Sequence, residues 1–541
     1  MKYTAHVDTF ARDNLPPMSE WPQFAFELPE LNYPGRMNCA TELLDKPVTR
    51  GHGHRVALRT PDGECIYTQL FTQANRLANV LVREMGLKPG NRVLLRGPNN
   101  PMMAACWFAV MKAGGVCVAT MPLLRAKELT DIITKAQVTH ALCDKRLEAE
   151  LQAALGNCPS LTSIRYWHDD SPDSIDSLVM KQPLWFSNVA TAADDVALIA
   201  FTSGTTGKPK GTMHFHRDVV AMCDCFPRSV LMAHKDDIFC GTPPLAFTFG
   251  LGGMLCFPMR VGASTVLVEK HTPETLLETI QRFKATVCFA APVMYRGMAA
   301  IAGGFNLSSL TRCVSAGEAL PDATRQAFRE AAGIEIIDGI GSTEMIHIFI
   351  SHTPERVRRG ATGYAIPGYR ATVLDEEGKV CSPGQVGRLA VKGPTGCRYL
   401  ADERQRDYVI TEGEMRGWNV TGDAYRMDRD GYFFYQARTD DMIVSAGYNI
   451  AGPEVEGALL AHPAVAECGV VGSADAARGT IVKAFVVLKP GNAAGDEMKK
   501  SLQEHAKKVI APYKYPRAIE FVDALPRTET GKLQRFKLRS P

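Results

Sequence analysis

Short apolar runs recur along most of the chain. Residues 92–95, 115–119 and 196–201 have the length of strands, and most such runs are followed by turn residues and then a helix-length segment. This alternation predicts an α/β fold of parallel sheets covered by helices. One stretch, 102–124, superficially resembles a membrane span. Lys112, the Gly114-Gly115 pair and Pro122 divide it into a helix-length half and a strand-length half, so it reads as a buried α/β unit. After a dense polar turn at 438–441 the rhythm changes. There 465–471 and 482–488 predict strands, 495–510 a charged amphipathic helix and 518–522 a further strand, enough for a small α+β domain. No Pro-rich or Ser-rich linker precedes it, so the junction is a hinge turn and not a tether. The expected organisation is a large N-terminal α/β domain, residues 1–439, followed by a small C-terminal α+β domain, residues 440–541.

Composition narrows the partners. With 541 residues, 45% hydrophobic and 22% charged, the chain is globular and too long for one ordinary core. A net charge of +3, from 61 basic and 58 acidic residues, excludes attraction to nucleic acid or a membrane by bulk field, so any anion must be held locally. The 15 cysteines are scattered and odd in number, which fits a reducing compartment and not a disulfide framework; Cys223 and Cys225 form a C-x-C without a second pair for zinc. Residues 1–17 carry Lys2, His6, Asp8, Arg12 and Asp13 and lack the apolar stretch of a secretion signal, giving the expectation of a cytoplasmic protein.

The clearest chemistry lies just after the strand candidate 196–201. Thr202-Ser203-Gly204-Thr205-Thr206-Gly207-Lys208-Pro209-Lys210-Gly211 combines glycines that let backbone N–H groups approach an anion, a series of hydroxyl donors, and two compensating lysines. Polyphosphate is the ligand such a loop suits; the plain alternative is a solvated hairpin. It is not a Walker A loop, because two residues separate Gly204 from Gly207 where that motif has four, and Pro209 follows Lys208. Further on, Thr343-Glu344 offers a hydroxyl for a phosphate oxygen beside a carboxylate for Mg²⁺, or else a helix start capped by Ser342. Thr421-Gly422-Asp423 reads as a glycine turn presenting a carboxylate to a pair of ribose hydroxyls. Lys532, near the C-terminus with Arg535, Lys537 and Arg539, reads on charge alone as a basic solvated tail.

Taken together and in order, the loop 202–211, Gly341-Ser342-Thr343-Glu344, Thr421-Gly422-Asp423, Arg438-Thr439-Asp440-Asp441 and Pro526-Arg527-Thr528-Glu529-Thr530-Gly531-Lys532 resemble the signatures of the acyl-adenylate-forming superfamily of acyl- and aryl-CoA ligases, adenylation domains and luciferases. The resemblance covers most of the chain. It implies the adenylate-forming fold with a mobile C-terminal domain hinged near Asp440. ATP, Mg²⁺ and coenzyme A are the implied small molecules. It assigns Thr202, Ser203, Gly204, Thr205, Thr206, Gly207, Lys208 and Lys210 to the phosphates and Glu344 to the metal. Gly317, Glu318, Ala319 and Asp338 then surround adenine, and Asp423 and Arg438 hold the ribose. Lys532 is the implied catalytic cation, with Thr343 and Glu344 beside it. Where many relatives stack a tyrosine on adenine, this chain has Ile340.

After adenylation, the same resemblance has the small domain rotate to admit a thiol past Gly447 and Tyr448, with Arg478, Lys514 and Arg517 meeting the nucleotide end of coenzyme A. For the acid, the segment 243–253 mixes aromatic and small residues, so that either a flat ring fits beside them or the glycines serve helix packing. Thr248 stands where amino-acid-activating relatives carry an aspartate, which disfavours an α-amino acid. The runs 338–349 and 28–34 are similar to those of benzoate- and 2-aminobenzoate-CoA ligases, implying an aromatic acid among Phe247, Phe249, Tyr295, Ala316, Gly341 and His347. A stand-alone adenylation enzyme loading a carrier protein and an aliphatic acyl-CoA ligase are the alternatives.

Overall fold

The computed structural model describes residues 3–202, 209–438, 441–445, 448–475, 479–510, 514–528 and 531–539. The strand candidates are found within a few residues of their expected bounds, at Arg92–Arg96, Val116–Thr120 and Val196–Phe201. In the apolar stretch 102–124 a helix, Pro101–Lys112, precedes the strand Val116–Thr120. Asn100 starts that helix by accepting the Met103 N–H at 2.9 Å, with Pro101 in its first turn. Lys112, buried in mid-protein, is neutralised by Asp45 and lies 4.5 Å above the Phe71 ring. Among the described residues no helix is long and apolar enough to cross a membrane.

Among the described residues the strands form five sheets. Six strands run in the order Ser163–Trp167, His140–Asp144, Arg92–Arg96, Val116–Thr120, Val196–Phe201 and Gly211–Phe215. All adjacent pairs are parallel except the last, which is an antiparallel hairpin closed by the loop 202–211. In a nine-stranded sheet, the parallel centre Val56–Thr60, Ser264–Val266, Ile238–Gly241, Val287–Ala290, Arg312–Ser315 and Ile336–Gly341 is flanked by antiparallel edges. Side chains alternate as the two-residue period requires. Val93 and Leu95 join the core shared by both sheets, whereas Leu94 joins the core on the opposite face. Helices Tyr67–Asn79, Pro101–Lys112 and His216–Ser229 contribute to the shared core, which explains why the middle one is apolar all round.

An antiparallel sheet of Arg370–Leu374, Val386–Lys392, Asn419–Met427 and Phe433–Arg438 follows. Beyond residue 441 a separate small core gathers Ile443, Val455, Val470, Val482, Leu502 and Ile519, with strands Val465–Asp475, Gly479–Leu488 and Ala518–Phe521 and the helix Asp496–Val509. The expected α+β pattern is therefore present. All 15 cysteines are free thiols.

Candidate active site

Three of the expected site segments sit where parallel strands end, the customary place for ligands in α/β sheets. Thr202 follows Val196–Phe201, Gly317 and Glu318 follow Arg312–Ser315, and Thr343 and Glu344 follow Ile336–Gly341. The hairpin around the phosphate loop is pinned at its mouth, where Thr202 N–H donates to the Lys210 carbonyl at 3.0 Å and Phe201 pairs with Gly211. Ser203, Gly204, Thr205, Thr206, Gly207 and Lys208 lie outside the described residues. Lys210 lies over the Tyr399 ring at 4.9 Å, a cation–π contact with the residue whose hydroxyl donates to Glu344.

Thr343 and Glu344 are not a helix start. They form a tight turn in which the Met345 N–H donates to Ser342 Oγ at 3.2 Å and Ile346 takes a left-handed φ of 67°. Four distant contacts hold that turn. His214 Nε2 donates to the Thr343 carbonyl at 2.7 Å, the Tyr399 hydroxyl to Glu344 Oε1 at 2.5 Å, Thr395 Oγ1 to the Met345 carbonyl at 2.8 Å, and Ser342 Oγ shares a bond with the Tyr408 hydroxyl at 2.8 Å. Beneath it the Arg398 guanidinium, stacked 3.9 Å from the Phe215 ring, bonds to Asp218, and both are fully buried. None of these supporting residues was foreseen; Tyr399 and Glu344 are 55 residues apart and no spacing pattern links them. One buried carboxylate suits a Mg²⁺ ion that takes its remaining ligands from phosphate and water. No cluster of three or more His, Cys, Asp or Glu side chains exists among the described residues to hold a metal by protein alone.

Thr421-Gly422-Asp423 is a bulge and not a turn. It lies inside the strand Asn419–Met427, whose pairing with the neighbouring strand slips between Arg388 and Ala390, and Gly422 carries a φ of 74° there. The bulge sets Asp423 opposite Arg438, whose Nη1 donates to Asp423 Oδ1 at 3.3 Å. Burial nonetheless raises the Asp423 pKa, because desolvation outweighs the half-exposed guanidinium. Burial likewise pushes the Asp338 carboxyl up to about 7. Its backbone is locked by its N–H to His352 Nε2 at 3.2 Å and by Ser351 Oγ on its carbonyl at 2.6 Å.

Lys532 comes from the far end of the chain into this cleft. Its side chain faces Glu318, Asp423 and Glu344, with Arg438 opposing; desolvation between the domains nevertheless lowers its pKa from the ordinary lysine value. The residue itself stays exposed to solvent, so it stands at the open mouth of the cleft. Gly317 supplies the left-handed φ of 90° that this loop requires, and its backbone passes close to Lys532, with a Cβ there falling at an ordinary contact distance of 3.7 Å from Lys532 Cε. Glu318, expected near adenine, spends its carboxylate on the turn that carries Lys532, accepting from the Leu533 N–H at 3.2 Å. Ala319 is exposed.

The aromatic region needs correction at two points. Tyr295 does not face it: the ring is buried on the opposite face of the nine-stranded sheet against Phe328, and its hydroxyl donates to the Cys288 and Val314 carbonyls at 2.9 and 3.0 Å. The space beside Gly252 and Gly253 is also filled by protein. A Cβ on Gly252 would stand 2.4 Å from His347 Cδ2, and one on Gly253 2.6 Å from Phe289 Cδ1, so these glycines serve close packing. What forms instead is a cage of Phe226, Phe249, Phe257 and Phe289 around His347, at centroid distances of 5.9, 5.6, 4.5 and 6.5 Å. His347 Nε2 donates to the Phe249 carbonyl at 3.3 Å, and Nδ1 is buried without a hydrogen-bond partner. Burial drives its pKa down to about 3, so the ring is neutral and Nδ1 is an acceptor. Ala316 is buried nearby in the same core, and Gly341 is held so close to the His347 backbone that a Cβ would meet its carbonyl carbon at 2.6 Å. Phe247 is half-buried at the start of the helix Thr248–Gly250.

Of the residues expected to meet a thiol cofactor, Gly447, Arg478 and the hinge Asp440 lie outside the described residues, and of Tyr448 only the backbone is described, in the strand Tyr448–Ile450. Lys514 is not a bare surface cation, since both Glu454 oxygens accept from it at 2.7 Å. Arg517 lies over the Tyr515 ring at 5.0 Å.

Comparison with known proteins agrees with this geometry. A family model described as AMP-binding enzyme matches residues 46–399, and one described as AMP-binding enzyme C-terminal domain matches 454–532. The chain is 35% identical over 519 residues to benzoate–CoA ligase of Thauera aromatica, covering 95% of this chain and 97% of that protein. The crystal structure of the anthranilate CoA ligase AuaEII in complex with anthranoyl-AMP aligns with a TM-score of 0.89 at 34% identity, over 94% of this chain and 98% of that one. A benzoate CoA ligase from Burkholderia xenovorans LB400 aligns with a TM-score of 0.84 at 32% identity, over 93% and 100%. With Lys210, the Thr343-Glu344 turn and Lys532 gathered at one cleft and both family models matched, the chain belongs to the AMP-binding enzyme family.

Proposed function

We propose that this protein is an ATP-dependent aryl acid:CoA ligase that makes an aryl-adenylate and then an aryl-CoA thioester, with 2-aminobenzoate or benzoate as the acid. The observation that carries the reading is the placement of Lys532 among Glu318, Asp423 and Glu344, with the neighbouring Leu533 N–H held by Glu318 at 3.2 Å. The likeness to benzoate and anthranilate CoA ligases supports the aromatic acid.

In the first half-reaction the acid's carboxylate attacks the α-phosphate, and pyrophosphate leaves toward the loop 202–211. The carboxylate is already ionised at neutral pH, so the protein supplies position and charge and no general base. Glu344, oriented by Tyr399, would hold Mg²⁺, which when bound offsets phosphate charge. Asp423 with Arg438 fixes the ribose, and Lys532 stabilises negative charge between carboxylate and phosphate. For the second half-reaction we assign the boundary between residues 1–439 and 440–541 as the hinge, at Asp440, so that the small domain turns Lys532 away and brings Gly447 and Tyr448 to the thiol of coenzyme A. A reducing cytoplasm suits the free thiols.

The test is a panel of benzoate, 2-aminobenzoate, salicylate, phenylacetate and short fatty acids with ATP and Mg²⁺, read by pyrophosphate release and by thioester formation on free coenzyme A. The expected result is both products with an aryl acid. Pyrophosphate release without thioester would make the protein a carrier-loading adenylation enzyme, and activity with fatty acids alone would refute the aryl reading.

A further inference from the structure

We propose that Glu318 is a releasable clasp that holds the small domain in its adenylating position, a positioning residue acting through the turn that carries Lys532. This rests on the two-step reading above. Glu318 projects from the loop that follows strand Arg312–Ser315 of the large domain. One of its oxygens, Oε1, accepts from the backbone N–H of Leu533 at 3.2 Å and from Arg527 Nη1 at 3.4 Å. These two donors flank Lys532 on either strand of its turn. The two arms on either side of Lys532 are cross-linked: Thr528 N–H donates to the Lys532 carbonyl at 2.7 Å, Lys532 N–H donates to Thr528 Oγ1 at 3.0 Å, and Arg527 pairs with Leu533 in a β-bridge. Gripping residues 527 and 533 therefore fixes the Lys532 backbone, in addition to the negative charge that Glu318 presents to its ammonium.

The same contacts explain why the clasp can open. Arg527 also donates to the Gly531 carbonyl at 2.6 Å and, through Nη2, to Glu467 Oε2 at 2.7 Å, both within the small domain. When that domain turns, Arg527 keeps two partners and travels as a neutralised unit. Glu318, which is only partly exposed in the closed arrangement, is released to water, where a carboxylate is well solvated. Neither side leaves a buried charge unpaired, so the exchange between the two arrangements is cheap in a way that a fully buried ion pair would not be.

The clasp is tested by separating the half-reactions in Glu318→Ala, Glu318→Gln and Arg527→Ala. Adenylation is measured as a single turnover of pyrophosphate release with 2-aminobenzoate or benzoate, ATP and Mg²⁺ and no coenzyme A. Thioester formation is measured from chemically prepared aryl-adenylate plus coenzyme A, without ATP. We expect Glu318→Ala to slow adenylation by about tenfold or more, as for loss of hydrogen bonds to a charged group, while thioester formation stays within about twofold of wild type or rises on the same argument. Glu318→Gln, which keeps an acceptor for the Leu533 N–H, should recover part of the loss, and the Glu318→Ala/Arg527→Ala double variant should lose less than the two singles combined. Parallel loss of both half-reactions, or unchanged adenylation, would overturn the clasp; should Glu318→Ala not fold, the other two variants read the same partition. A wild type silent in both half-reactions refutes the ligase reading instead, and the clasp with it.

Discussion

Replacing His347 by Phe should erase a preference between aromatic acids without harming the enzyme. The imidazole is enclosed by four phenylalanine rings, its Nε2 is spent on the Phe249 carbonyl, and its Nδ1 acceptor is buried with no hydrogen-bond donor among the described residues. An orphaned buried acceptor costs about 1–3 kcal/mol. An acid bearing an ortho N–H that reaches Nδ1 recovers that energy, and benzoate does not. At about 1.4 kcal/mol per tenfold, the wild type should favour 2-aminobenzoate by roughly 5- to 150-fold in kcat/KM. In His347→Phe the acceptor is gone and a ring of similar size fills the cage, so the value for benzoate should hold within about threefold while that for 2-aminobenzoate falls to meet it. Because the His347 pKa lies at about 3, the wild-type preference should also be flat from pH 6 to pH 9. The assay is kcat/KM from pyrophosphate release with each acid, in both proteins, across that range. Equal losses for the two acids, or a preference that titrates near pH 6.5, would refute the reasoning.

Three further outcomes follow from the geometry. Lys532→Ala should lower adenylation by at least about 100-fold, as loss of a charge placed for the transition state does, while ATP affinity measured by calorimetry stays within about threefold; equal loss of both would place Lys532 in binding alone. Tyr399→Phe removes the 2.5 Å donor to Glu344, a bond to a charged group worth about 1.5–3 kcal/mol, and should cut kcat/KM for ATP by about 10- to 100-fold and alter the Mg²⁺ concentration needed for half activity; an unchanged Mg²⁺ titration would remove Tyr399 from the site. Stability should fall on acidification: burial holds His216 and His347 at pKa values of about 3 and His271 at about 4, so below pH 6.5 the unfolded chain takes up protons that the folded one refuses. Each of these three histidines adds up to about 1.4 kcal/mol per pH unit to the slope and Asp338, raised to about 7, subtracts as much, so stability measured by urea unfolding should fall between about pH 6 and 5; His271→Asn should reduce the slope by about 1.4, and no reduction would exclude His271 as a source.

Much of the protein was legible because it is encoded locally. Strand and helix positions follow from apolar periodicity over a few residues, and the glycines, hydroxyls and lysines of 202–211 declare their chemistry within ten consecutive positions. The resemblance of the ordered motifs to the adenylate-forming superfamily implied one shared site for Thr343, Glu344, Asp423, Arg438 and Lys532. What local pattern could not supply is which elements become neighbours. Sequence spacing tells which face of its own helix or strand a residue shares, but not which face of the sheet that element covers. Tyr295 was therefore expected near the acid and lies in the layer behind it. Nor does spacing reveal partners joined across the fold: Tyr399 with Glu344, His214 with Thr343 at a separation of 129 residues, Glu318 with Leu533 at 215, and the phenylalanines that close on His347. The residues that do the chemistry are written in the sequence, because chemistry needs particular atoms at short spacings. The residues that aim them come from packing between distant segments, and only the folded chain brings those segments together.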